Sequence, residues 1–89
     1  MSHMHTTDEI ESWFRERVER HDARQQEAWL EYLETTRRCP EHVYLQAEPL
    51  AWRRLRRRLA ELAHDRRRDA FARDRALADA GADGFRLAG

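Results

Sequence analysis

Three groups of residues have types and spacing that permit chemistry. Glu61-Leu62-Ala63-His64 sets a carboxylate and an imidazole three residues apart, a spacing that on a helix lets both reach one metal ion. Glu31 supplies a further acid thirty residues upstream. The run Trp52-Arg53-Arg54-Leu55-Arg56-Arg57-Arg58-Leu59 gathers five guanidinium groups beside an indole, and Arg66-Arg67-Arg68 extends it. A planar guanidinium donates two parallel hydrogen bonds to a phosphate, so such a helix suits a nucleic-acid backbone. Cys39 stands among Arg37, Arg38 and His42, an electropositive setting of the kind that activates a thiol. No acid is placed to orient His42. Ser12 is the only serine after residue 5, and the glycines form no phosphate-cradling loop. Catalysis is not expected.

Glu31, Glu61 and His64 resemble the iron ligands of the two-helix encapsulated ferritins. The resemblance covers those three positions and implies an iron site completed by dimerisation. Around a helix, however, Glu61 and His64 fall about 160° and 140° from the apolar stripe, beside Arg57, Arg68 and Arg75. A cation needs an acidic, semi-buried surrounding, so a solvated pair is the ordinary expectation. No cofactor is expected, and a metal-binding bundle is the third reading. Nucleic-acid binding through Arg53, Arg54, Arg57 and Arg58 is the second. Glu61, Asp65, Asp69 and Asp74 interrupt that basic face, which reads first as a solvated surface laced with ion pairs.

The elements that must position these groups are helical. Of 89 residues, 40% are apolar, but many of these are alanine, leaving about twenty large side chains for a core. One cysteine excludes an intramolecular disulfide, and no apolar run is long enough for a membrane span. A cytoplasmic location with no membrane partner is expected. Met1 to His5 reads as a tag remnant. Residues 6–80 then read as one helical domain, and 81–89 as a loose tail in which Phe85 and Leu87 are candidate docking points.

Thr6 with Glu9 has the spacing of a capping box. From there Ile10, Phe14, Val18, His21, Gln25, Ala28 and Tyr32 form one stripe, carrying a first helix to about Arg37. Cys39-Pro40 ends it. The connection has room for a short third helix, Glu41 to Ala47, with Val43-Tyr44-Leu45 as an apolar plug. Pro49 suits the first turn of the next helix. The stripe Trp52, Leu55, Leu59, Leu62, Ala63, Ala70 and Leu77 runs until Gly81 and Gly84 stop it.

The fold expected is therefore all-α: a long antiparallel helical hairpin some 40 Å long, at 1.5 Å per residue. Antiparallel partners should have numbers adding to about 87. Phe14 should then meet Arg73, and His21 should join Gln25 and Arg66 in a polar layer. Residues 1–48 carry a net charge of −5 and residues 49–89 a net charge of +5, with seventeen arginines and no lysine. Such segregation favours packing between the two halves, within or between chains. Trp29, Leu30, Leu33, Tyr44 and Phe71 exceed what one stripe needs, so a homodimer forming a four-helix bundle is expected. The function expected is protein–protein interaction by an accessory or regulatory subunit whose partner the sequence does not name.

Overall fold

The computed structural model describes the backbone of residues 6–88 and the side chains of residues 6–81. The tag-like Met1–His5 and the side chains of Phe85 and Leu87 lie outside these. Two helices, α1 (Thr7–Arg37) and α2 (Glu41–Ala88), account for every described residue except Thr6 and the Arg38-Cys39-Pro40 connection. They form the antiparallel hairpin.

α1 starts where Thr6 Oγ1 accepts the Glu9 amide at 3.1 Å, relieving one of the free donors at a helix start. Asp8 and Glu9 in its first turn and Arg37 in its last agree with the helix dipole. At the other end Arg38 N–H still reaches Glu34 O, and the Cys39 thiol donates to Thr35 O at 3.0 Å. That thiol is engaged in closing the helix end. Pro40, which has no amide proton to lose, then offers its carbonyl to the amides of Val43 and Tyr44. A new helix begins at once.

Three expectations about α2 are corrected. No separate third helix exists: Glu41 to Ala88 is one continuous helix with Pro49 inside it, not in its first turn. The chain tolerates this because the acceptor deprived of its partner belongs to Leu45, which is 74% exposed and stands in water. Second, Val43-Tyr44-Leu45 plugs nothing; all three side chains are exposed. Third, α2 passes through Gly81 and Gly84 to Ala88. A glycine stops a helix when it takes positive φ, and no described residue has one. The longest dimension is therefore 71 Å rather than about 40 Å.

The core is a single seam. Ile10, Ala28, Ala51, Leu55 and Leu62 are its buried apolar residues, and Phe14, Val18, Tyr32 and Leu59 are half-buried along its flanks. On α2 the seam runs through Ala51, Leu55 and Leu62, which moves Trp52 from the expected stripe to the edge of the interface. Two small residues, Ala28 and Ala51, share one groove lining with Leu55, where short side chains let the backbones approach.

Candidate interaction site

The two halves of the hairpin are held by different chemistry. In the half away from the connection, α1 and α2 meet through buried charge. His21 is 3% exposed and Asp69 8%. His21 Nε2 lies 2.6 Å from Asp69 Oδ2, and Arg17 Nε donates to the same oxygen at 3.1 Å. Burial pushes the Asp69 carboxyl up, but hydrogen bonds from Arg17 and His21, aided by their charge, outweigh it. The net result is an acid held below its ordinary range. An ionised carboxylate only accepts, so Nε2 is the donor and carries the proton. His21 Nδ1 is then buried without a hydrogen-bond partner. Among the described residues the imidazole makes no hydrogen bond to a hydroxyl or thiol with which to form a nucleophile–base pair. Its position describes a clamp between helices.

Two arginines of α2 in this half, Arg73 and Arg66, are spent on α1. Arg73 lies 4.3 Å from the Phe14 ring centre, the pairing expected from the register. Arg66 donates to Asp22 at 2.8 Å and to Gln25 at 3.1 Å. The expected polar layer is thus divided: Gln25 pairs with Arg66, whereas His21 turns to Asp69. Arg17 also sits 5.8 Å from the Trp13 ring centre, so one guanidinium bridges an indole and the buried acid.

In the half next to the connection the contact is aromatic. Trp29, Tyr32 and Trp52 form a triangle of edge-to-face rings with centres 5.7–6.4 Å apart. Such pairs add about 0.5–1.5 kcal/mol beyond their area. Tyr32 OH donates to Glu48 Oε1 at 2.8 Å. That bond, followed by burial and the Glu48 charge, raises the tyrosine above its ordinary phenol value. The triangle does not cover its own surface. Of the ten large apolar side chains exposed among the described residues, eight lie between Trp29 and Trp52. They include Leu30, Leu33 and Tyr44; Leu45 and Leu50 join them, although the sequence reading did not single them out as contacts. Phe71, 68% exposed, sits far along α2 and belongs to a different surface.

The arginine-rich face also divides in two. Arg58 and Arg54 both reach Glu31 across the helices, the second at 3.8 Å. Arg53 and Arg57 are exposed and make no ion pair among the described residues, and the same holds for Arg56, Arg67, Arg68 and Arg75. Glu31 is therefore committed to cations. Glu61 lines one groove with Arg24, Glu27, Arg58 and Asp65, whereas His64 lines another with Arg67, Arg68 and Phe71. Among the described residues of one chain, no three His, Cys, Asp or Glu side chains are grouped to hold a metal ion. No described helix is long and apolar enough to cross a membrane.

Asp69 is the residue that sequence reading missed, because it stands among arginines as one more surface charge. A signal was present. Leu55, Leu62 and Asp69 are spaced by seven, as are Phe14, His21 and Ala28. Both polar residues continue the heptad of the seam. Compared with known proteins, the chain matches no family model, curated protein or solved structure. The site is read from its own chemistry.

Proposed function

We propose that this chain is a small non-catalytic interaction protein, an accessory or regulatory subunit that self-associates through the half of the hairpin next to its connection. One observation carries the reading: the concentration of exposed large apolar side chains between Trp29 and Trp52. A monomer seldom leaves so much large apolar surface concentrated at one end in water. Leu30 and Leu33 keep about half their surface exposed, so covering them is worth about 1 kcal/mol each. Because the same patch exists on every copy, a two-fold pairing uses it twice. Light scattering at micromolar concentration is expected to give twice the 10.7 kDa chain mass. Leu30→Glu with Leu33→Glu returns it to a single mass. An unmutated chain that stays monomeric overturns the proposal.

The unpaired arginines favour a second reading, a polyanion held along the outer side of α2. In this reading Arg53 and Arg57 remain candidates, joined by the unpaired Arg56, Arg67 and Arg68, whereas Arg54 and Arg58 are engaged by Glu31. Phosphate contacts release counterions, so binding of duplex DNA would weaken steeply with salt. The first reading expects no duplex binding near physiological salt. Micromolar binding with a steep salt slope would replace it by the second.

A further inference from the structure

The self-association proposed above leaves open how two copies meet, and the distribution of charge and apolar surface selects one arrangement. We infer that two hairpins stack face to face with their connections at the same end, α1 of each chain lying against α2 of the other.

The face is chosen first. Trp29 and Trp52 touch each other on one side of the hairpin. Glu31 and Arg54 each follow one of these tryptophans by two residues, about 200° further round the helix. Their ion pair, with Arg58, therefore occupies the opposite side. The tryptophan side continues at helical spacing through half-buried Leu59, Ala63 and Ala70 on α2 and Val18 on α1. Alanines in that line let a second pair of helices approach closely. One side of the hairpin is a half-covered seam, mainly apolar and crossed by the Arg66–Asp22 pair; the other is a groove of charges.

The direction follows from where the apolar surface lies. It is concentrated beside the connection. A copy running the opposite way over its full length would lay the tryptophans near the Phe14–Arg73 and Arg17–Asp69 contacts. A copy with its connection at the same end lays tryptophan against tryptophan. Charge agrees. A two-fold axis along the hairpin puts acidic α1, net −4, over basic α2, net +3, of the second copy. Every neighbouring pair in the resulting four-helix bundle is then antiparallel and oppositely charged. An axis across the hairpin would set α1 on α1 and α2 on α2, like charge on like.

The natural chain carries the probe, since Cys39 is its one cysteine and sits at the connection. A nitroxide on Cys39, and another on Gly81→Cys in a Cys39→Ser chain, give two interchain distances by pulsed electron resonance. Gly81 is exposed and has open space where a side chain would project. Same-end stacking, with helix axes 8–10 Å apart, places both label pairs within about 30 Å. A dimer overlapping only by its connection halves would keep Cys39 pairs near 30 Å but separate the Gly81→Cys pairs by more than about 80 Å, at 1.5 Å per residue. A fully reversed dimer would separate both. Either result overturns this arrangement while leaving self-association intact. A monomeric mass overturns self-association itself.

Discussion

Asp69 decides what the loop-distal half does at low pH. Its folded-state acidity is stronger than that of an unfolded aspartate, whose ordinary pKa is about 3.9. The ionised form is thus bound preferentially by the folded chain. That contribution is complete above the unfolded value and disappears as pH falls through the folded one. Denaturant melts are expected to be level from neutrality to about pH 5, then to weaken below about pH 4. Asp69→Asn should cost about 2 kcal/mol at neutral pH, by loss of charge-assisted hydrogen bonds, and make the acid decline shallower. Replacing His21 and Asp69 together by leucine should restore the melting temperature or raise it, since buried charge is costly even when paired. An Asp69→Asn chain with an unchanged acid decline would assign the acid sensitivity elsewhere. The Phe14–Arg73 contact was legible because a short connection fixes which numbers oppose each other. The partner of His21 was not, because Asp69 and Arg66 are both polar neighbours along the opposing strip of α2. Only their phase relative to Leu55 and Leu62 tells them apart.

Both helices were visible in the sequence, but the limits of α2 were not. Proline and glycine act as boundaries when the backbone is free to leave the helix. Here the first turns of α2 are held by the Tyr32–Glu48 hydrogen bond immediately before Pro49. Contact with α1 outweighs the local preference. The preference should survive as a cost. Pro49→Ala, which restores a donor for the Leu45 carbonyl, is expected to stabilise the hairpin by up to about 3 kcal/mol. Gly81→Ala adds a methyl into open space at negative φ and should contribute about 1 kcal/mol. Thermal melts followed by circular dichroism measure both. A destabilised Pro49→Ala chain would mean that the proline shapes the connection rather than interrupting a helix.

The whole chain has a radius of gyration of 20.2 Å, against about 12 Å for a rounded domain of its length. Among the described residues a rod this thin buries five apolar ones, two of them alanine, and its stability alone is slight. If the proposed association through the exposed aromatic half supplies what the seam lacks, the melting temperature rises with protein concentration. A melting temperature constant over a hundredfold dilution would show that one hairpin suffices. The charge segregation was evident from residue types. The division of labour between an aromatic end and an ionic end was not, because it depends on which arginines find acids across the seam.

The single short connection also orders events in time. Tyr32 and Glu48 are separated by 16 residues of chain, His21 and Asp69 by 48, and Arg17 and Asp69 by 52. Closing the larger loop directly from an open chain costs about 1 kcal/mol more in entropy than closing the smaller one. Once the small loop is shut, each further contact encloses only a few new residues. Loop entropy therefore favours a zipper that starts at the aromatic triangle and ends at the buried aspartate. The exposed aromatic end is the first to be organised, and the charged clamp locks a register already set.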